Sequence, residues 1–377
     1  MGPKLIDELK RANNIVNNDV KTQPRQRLYW LDAGRGLAAI AVMLYHYQVF
    51  LGTVELFKYG YLAVDLFFMM SGYVLVYAYG EKMAEGMSTL RFMVVRIIRL
   101  YPTFLFATLF GAAYYVLKIL MGADDAPILS DIIAILIQNL FFLPTYIKDV
   151  VPNGIFPFSP AAWSLSAEMV LSVLYGLGIW KFREKALVWL IAITFAICVF
   201  FALRFGTFDY GFDQKSFHPA LFRATAEFSL GVLLYKKFSH IRMKQNWVQP
   251  ALLSVIMIIL VLLKPNWMIS IISLGILFPL FLTLQPSRNL TGMSAKVCTE
   301  LGRISYPVYL LHTPVLLWGA GAFKVFKGDN FEASAPWLGI ALMVATIVLS
   351  FMVAKLFDEP IRRLLNKYIK RASNMRV

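Results

Sequence analysis

The chain has 377 residues, of which 59% are hydrophobic and only 16% are charged. A soluble globular protein is about 45–50% apolar and about 25% charged, so this composition argues against a soluble fold and predicts a polytopic membrane protein. The formal net charge is +15. We attribute it to cytoplasmic loops, where lysine and arginine collect in membrane proteins, and not to nucleic-acid binding.

Ten apolar segments approach the roughly 20 residues that a membrane-spanning helix needs. A further apolar stretch, 130–144, is short and partly polar, and we predict that it does not cross. With that choice the basic loops and both termini fall on the cytoplasmic side, as the positive-inside rule requires. The predicted fold is therefore an all-α transmembrane bundle of about ten spans, at 31–50, 60–79, 101–121, 162–180, 186–203, 220–238, 247–263, 267–284, 303–322 and 337–357.

One membrane domain is expected over residues 28–360, between a polar cytoplasmic tail, 1–27, and a basic cytoplasmic tail, 361–377. The first tail lacks the apolar core and small-residue cleavage site of a signal peptide. The two cysteines, Cys198 and Cys298, are far apart and have neither metal-type nor disulfide-framework spacing. We therefore predict a single domain with no metal site and no disulfide.

The first predicted span carries a polar residue near each end. In RGLAAIAVMLYH, Arg35 and His46 are eleven positions apart. Three helical turns bring them onto one face, with roughly 16 Å between them along the axis. Arg35 is then expected near the cytoplasmic end and His46 toward the outer side. Asp32, one turn before Arg35, offers that arginine a simple structural partner.

Other ionisable residues are predicted at the depth of His46. Counting along the second and fourth spans places Asp65 roughly 8 Å, and Glu168 roughly 9 Å, below the outer surface. His312 and Ser71 fall near the middle of the membrane. Ionisable groups inside a membrane are costly and usually mark functional sites. We therefore predict that Asp65 or Glu168 orients His46, with a purely structural role for Asp65 left open.

Two arginines lie at the cytoplasmic end of the third span. In RIIRLYP, Arg96 and Arg99 are one turn apart, and paired planar guanidinium groups suit phosphate recognition. The alternative is that they are ordinary positive-inside anchors. Arg223 and Glu227, four positions apart on a later span, are expected to form a structural pair.

The motifs of several common enzyme classes are absent, among them GxSxG, the phosphate-binding P-loop, HExxH and paired CxxC. A histidine near carboxylates can act as a general base for a hydroxyl or as a nucleophile. A phosphate-rich donor on the inner side and a hydroxyl acceptor on the outer side would use both polar sites. Residue chemistry alone leaves transmembrane group transfer and proton-coupled transport equally open.

Six segments in a fixed order carry a resemblance to a known family. The chain resembles the acyltransferase-3 family of integral membrane acyltransferases from about residue 28 to residue 360. The resemblance implies about ten helices and transfer of an acyl group, usually acetyl, from cytoplasmic acyl-CoA to extracytoplasmic hydroxyls, commonly those of surface polysaccharides. The matching segments are LDAGRGLAAIAVMLYHY, YGYLAVDLFFMMSGYVL, RIIRLYP, AWSLSAE, GRISYPVYLLHTP and FDEPIRR.

The resemblance also implies roles for particular residues. His46 would be the catalytic histidine, with Asp65 and Glu168 as its polar partners in catalysis. Acetyl-CoA would be the donor substrate, no cofactor would stay bound, and the protein would lie in the plasma (inner) membrane among its lipids. The alternative function is a proton-coupled transporter or flippase of a small molecule or lipid-linked sugar. The implied donor-binding residues are Arg35, Arg96 and Arg99, and the implied supporting residues are Ser71, Trp163, Ser164 and His312.

Overall fold

The computed structural model describes residues 27–53, 56–147, 154–264, 266–286, 290–328 and 331–374. Within these ranges the regular secondary structure is helical: the helices α1 to α11 and a few short helical turns are joined by loops, and there is no β-strand. The helices are α1 Tyr29–Leu51, α2 Leu62–Ala84, α3 Thr89–Leu120, α4 Leu129–Leu140, α5 Ala162–Leu177, α6 Glu184–Phe205, α7 Phe217–Phe238, α8 Val248–Leu262, α9 Trp267–Thr283, α10 Gly292–Lys327, and α11, which runs as Trp337–Met352, a π-helical turn Val353–Asp358 and Glu359–Asn374.

The apolar character of these helices agrees with a membrane protein. Among the described residues, five helices, α2, α3, α6, α10 and α11, are long and apolar enough to cross a bilayer by themselves. Four shorter apolar helices, α4, α5, α8 and α9, accompany them. The all-helical class is thus confirmed, whereas the number of ten spans and the cytoplasmic position of both termini stay predictions.

The apolar stretch 130–144 forms the short helix α4. Its 12 residues extend about 18 Å, less than the roughly 30 Å of a hydrocarbon core. The buried Asn139 near its end donates a hydrogen bond to the carbonyl of Leu143 at 3.1 Å. A helix of this length does not cross the core unaided, in line with the prediction that this stretch stays on one side.

Helices α2 and α7 touch through their backbones. A Cβ atom added at Gly72 would lie 2.0 Å from the carbonyl oxygen of Phe228, and one added at Gly231 would lie 2.0 Å from that of Met69. Small residues permit such close approach between membrane helices. The contact sets α2 against α7 and brings Asp65, which lies two turns before Gly72, within reach of α7.

Helices α1 and α10 are joined in the same way. A Cβ atom at Gly36 would lie 2.5 Å from the Cβ of Leu301, and one at Gly302 would lie 2.6 Å from the Cβ of Asp32. Of all helix pairs in the described part of the chain, α1 and α10 share the most extensive contact. This packing holds the face of α1 that carries His46 against α10.

Helix α10 stays continuous over 36 residues although it contains Pro307 and Pro314. Proline at position 314 has no N–H for the carbonyl of Leu310, four residues earlier. The hydroxyl of Ser159 donates to that carbonyl instead, at 3.0 Å. Helix α10 therefore presents Tyr309 and His312, one turn apart, to the interior of the bundle.

The two predicted tails have different outcomes. Residues 1–26 lie outside the described part of the chain. The predicted boundary near 360 falls within α11, which continues as a helix to Asn374. The beginning of this last segment contributes Glu359, Arg362 and Arg363 to a cavity wall, so Arg362 and Arg363 belong to the folded bundle.

Candidate active site

A wide cavity, which we call the vestibule, opens where the starts of α1 and α10 meet the end of α2 and the second half of α11. It encloses about 820 Å³. This is the end of the bundle predicted to face the cytoplasm. Charged side chains dominate its wall, namely Arg27, Asp32, Arg35, Arg99, Glu300, Arg303, Asp358, Glu359, Arg362 and Arg363.

Arg99 differs from the other arginines of the vestibule. Arg35 lies 2.9 Å from Asp32, confirming the predicted intrahelical neighbour, and Arg27, Arg303, Arg362 and Arg363 also have acidic partners. Arg99 is exposed and has neither an ion pair nor a hydrogen bond among the described residues. The vestibule therefore carries an unmatched positive charge with the fork geometry that suits a phosphate group.

A smaller cavity, which we call the chamber, lies deeper in the bundle. It encloses about 130 Å³ and shares Arg35, Val74, Arg99 and Tyr306 with the vestibule, so the two cavities adjoin. Its wall combines apolar side chains with a few polar groups. The predicted site residues that line it are Arg35, Ser71, Arg96, Arg99, Ser164 and Glu168.

Glu168 is held in the chamber by Arg96 and Ser71. The Arg96 guanidinium forms a very short ion pair with Glu168 Oε1, and the Ser71 hydroxyl donates to the same oxygen at 3.0 Å. Arg96 Nε also donates to the hydroxyl of Ser172 at 3.3 Å. The prediction that Glu168 orients His46 is therefore wrong, because its carboxylate forms an ion pair with the guanidinium of Arg96 on α3.

His46 instead pairs with His312. Its Nδ1 lies 2.9 Å from the carbonyl oxygen of Val42 and 3.2 Å from His312 Nε2, and His312 Nδ1 lies 3.2 Å from the carbonyl oxygen of Val308. Carbonyl oxygens only accept, so each Nδ1 carries the proton. His46 Nδ1–H is then shared between Val42 and His312, which fixes the tautomer of both rings.

The hydrogen-bond network leaves one nitrogen available for chemistry. His46 Nε2 keeps its lone pair, and the His46 side chain is exposed although it stands among buried neighbours. His312 is fully buried and presents its own Nε2 to His46. His46 is therefore arranged as a base or nucleophile, and His312, predicted only as a supporting residue, is its direct neighbour.

Asp65 is engaged elsewhere. Its two carboxylate oxygens accept from Arg223 Nε at 2.5 Å and from Arg223 Nη2 at 2.6 Å, and both side chains are buried. The prediction that Asp65 orients His46 is thus wrong, since the guanidinium occupies both oxygens. The predicted neighbour of Arg223, Glu227, lies 3.7 Å from its Nε and is the more distant partner.

Ser164 and Trp163, both predicted as supporting residues, lie on α5. The hydroxyls of Ser164 and Tyr309 are 2.6 Å apart at the wall of the chamber. The Tyr309 ring lies 6.0 Å from that of His312, so this wall of the chamber adjoins the histidine pair. Trp163 packs 6.2 Å from the Phe68 ring and has a packing role.

Sequence reasoning missed a carboxylate that lies near His46. The Tyr45 hydroxyl donates to Asp209 Oδ2 at 2.5 Å, and the Tyr45 ring meets the His46 ring edge-on at 5.0 Å. Asp209 lies in the segment between α6 and α7, on the side of the bundle predicted to be extracytoplasmic. The sequence indicates Asp209 only as an acidic residue in a short loop, on the side of the membrane toward which His46 is predicted to lie.

Comparisons with known proteins place the chain in a family. Residues 28–355 match the model of the acyltransferase domain that defines the acyltransferase-3 family. Protein 2 in the picA locus of Rhizobium radiobacter is 34% identical over 190 residues, which cover 98% of that protein and 48% of this chain. No solved structure matches the chain. With most of its length matched by the family model, the chain belongs to the acyltransferase-3 family of membrane acyltransferases.

Proposed function

We propose that the protein transfers an acetyl group from cytoplasmic acetyl-CoA to a hydroxyl of an extracytoplasmic glycan or lipid-linked sugar in the plasma membrane. The observation that carries this proposal is the arrangement on α1. Arg35 lines the anion-attracting vestibule, and His46, with a free Nε2, lies eleven residues and roughly 16 Å further along the same helix. One helix thus links a site suited to phosphates with a site suited to proton transfer.

The two cavities suit the parts of the donor. The phosphates of acetyl-CoA would bind in the vestibule, where Arg99 is unpaired and Arg35 is shared with the chamber. The pantetheine arm would enter the chamber past the Arg96–Glu168 pair. The acetyl end would then reach the wall formed by Tyr309, beyond which lies His312. No permanently bound cofactor is needed, because the donor is itself the activated thioester.

The transfer step follows from the free nitrogen of His46. His46 Nε2 takes the proton of the acceptor hydroxyl while the hydroxyl oxygen attacks the thioester carbonyl. The C–S bond breaks, the new C–O ester bond remains, and the proton passes from His46 to the departing CoA thiolate. In the covalent variant, Nε2 attacks the thioester carbonyl and the C–S bond breaks to release the CoA thiolate. The acceptor hydroxyl oxygen then attacks the acetyl-imidazole, the N–C bond breaks, and the hydroxyl proton passes by way of Nε2 to the thiolate. Both routes use the same nitrogen.

The proposal is tested with purified protein in detergent, where no ion gradient exists. The protein is incubated with labelled acetyl-CoA and a lipid and glycan extract of the producing cells. We expect release of CoA thiol and label in alkali-labile esters of the extract. A transporter or flippase would leave acetyl-CoA intact, and an intact donor under these conditions would contradict the proposal.

Replacing Arg99 by alanine is expected to weaken acetyl-CoA binding by about tenfold or more. The reason is the loss of a charge-assisted hydrogen bond, which contributes about 1.5–3 kcal/mol. Titration of the purified protein with acetyl-CoA measures the change. Arg91→Ala is the matched control, because Arg91 lies two turns earlier on α3, is exposed and does not line either cavity. Equal affinity for the wild type and the Arg99 variant would refute the donor site.

A further inference from the structure

The exposed His46 side chain has a second polar neighbour beyond the histidine pair. Asp209 lies in the loop between α6 and α7 and is fixed from two directions. Its backbone N–H donates to the Thr207 hydroxyl at 2.9 Å, and its Oδ2 accepts from the Tyr45 hydroxyl at 2.5 Å. Because the Tyr45 ring meets the His46 ring edge-on at 5.0 Å, the carboxylate is held near the imidazole.

Asp209 differs from the other half-buried or buried carboxylates of the site. Asp65, Glu168 and Asp358 each have an arginine partner. Asp209 is half-buried and forms no ion pair within the described ranges. A carboxylate offers about four acceptor positions, and the Tyr45 hydroxyl occupies one of them. Asp209 has no buried oxygen without a partner, so its unfilled acceptor positions are accessible to a hydrogen-bond donor from a bound molecule.

The residues around Asp209 indicate what kind of molecule could supply such a hydrogen-bond donor. The Tyr45 and Tyr61 rings meet edge-on with 6.4 Å between their centroids, so the walls beside the carboxylate are aromatic. A sugar ring combines several O–H donors with apolar C–H faces, which such walls accommodate. A second anion is disfavoured, because it would be repelled by the uncompensated charge of Asp209.

We propose that Asp209 binds the acceptor, a neutral sugar, by accepting hydrogen bonds from hydroxyls adjacent to the one that His46 deprotonates. This inference rests on the proposed function and adds the acceptor subsite to it. Tyr45 holds the carboxylate in place and is a positioning residue. The acceptor is accordingly a sugar with at least two neighbouring free hydroxyls and without a carboxylate or phosphate near them.

The test uses the purified full chain with acetyl-CoA and a panel of neutral methyl hexosides as acceptors. Cyclohexanol serves as the single-hydroxyl comparison, and methyl glucuronoside as the acidic one. We expect at least one methyl hexoside to accelerate CoA release more than either comparison. Asp209→Asn is expected to raise the KM for that hexoside by about tenfold, because one charge-assisted hydrogen bond is lost, and to leave the KM for acetyl-CoA unchanged.

Two carboxylates in external segments provide matched controls. Asp213, in the same loop, accepts from the backbone N–H groups of Lys215 and Ser216 at 2.8 and 3.1 Å, so Asp213→Asn reports loss of loop structure alone. Asp124→Asn removes an exposed charge far along the chain from this loop. An equal rise in acceptor KM for Asp213→Asn and Asp209→Asn would overturn the inference, because loop damage would then explain both.

The remaining outcomes separate this inference from the proposed function. If the wild type consumes no acetyl-CoA even with the cell extract, the proposed function fails. If it uses the extract but prefers none of the hexosides over cyclohexanol, the acceptor inference fails alone. A fall in kcat without a change in acceptor KM for Asp209→Asn would also overturn it, because the carboxylate would then act on His46 and not on the acceptor.

Discussion

Loss of the His46 imidazole is expected to reduce acetyl transfer by about 10²–10⁴-fold, the usual contribution of a positioned general base. In His46→Ala the free Nε2 disappears, and no other described histidine can replace it. His312 Nδ1 is engaged with the Val308 carbonyl, and its ring is buried behind His46. Donor binding should be unchanged, because His46 lines neither cavity. Initial rates of CoA release and an acetyl-CoA titration measure the two quantities separately.

His240→Ala and His312→Asn complete this experiment. His240 is exposed after the end of α7, so its removal should leave the rate unchanged. His312→Asn should lower the rate less than His46→Ala, because His46 Nδ1–H keeps the Val42 carbonyl as acceptor. Transfer at the wild-type rate by His46→Ala would disprove the catalytic assignment. Acetyl-His46 found by mass spectrometry after rapid quenching would favour the covalent route over direct transfer.

The relations within single helices could be predicted from the sequence. The helical period determines which residues of one segment share a face, so the placement of Arg35 and His46 three turns apart on α1 follows from spacing alone. The Asp32–Arg35 contact and the proximity of Arg223 to Glu227 follow for the same reason. The all-helical class follows from apolar segment length, because a backbone in lipid must satisfy its own hydrogen bonds.

The relations between helices could not be predicted in this way. Counting residues along a span gives a depth in the membrane but neither the rotation of the helix nor the identity of its neighbours. Asp65 and Glu168 were expected beside His46 at a common depth, yet each faces an arginine on another helix. His312 was expected nearer the middle of the membrane, yet it contacts His46 because α10 packs closely on α1.

Loops add a further limit to prediction from sequence. Asp209, in the loop after α6, comes near His46 because the Tyr45 hydroxyl donates a hydrogen bond to its carboxylate. No helical spacing relates residue 209 to residue 46. Likewise, the unpaired state of Arg99 becomes visible only once the acidic partners of the surrounding arginines are known. The candidate site is therefore composed of predicted residues with partners that only the fold reveals.

Removal of the Arg223 guanidinium is expected to destabilise the fold by about 3–5 kcal/mol, the cost of leaving a buried charge without its partner. In Arg223→Met, Asp65 would lose both of its short hydrogen bonds and Glu227 its nearby cation, in an environment with almost no solvent. The Tyr210 carbonyl would also lose its donor, Arg223 Nη1, at 3.0 Å. Thermal unfolding of the purified protein in detergent, together with the yield of monodisperse protein, measures the effect.

A compensating variant separates stability from catalysis. Arg223→Met combined with Asp65→Leu removes both charges, and replacing a buried ion pair by apolar residues is often neutral for stability. We expect this double variant to recover part of the lost stability, because Asp65 no longer lacks a partner whereas Glu227 still does, and to retain acetyl transfer, because Asp65 serves the fold and not His46. Arg204→Met, an exposed arginine at the end of α6, is the control and should leave the unfolding temperature unchanged. A well-folded double variant without transfer activity would show that Asp65 takes part in catalysis. An Arg223→Met protein as stable as the wild type would show that the buried pair does not hold α2 to α7.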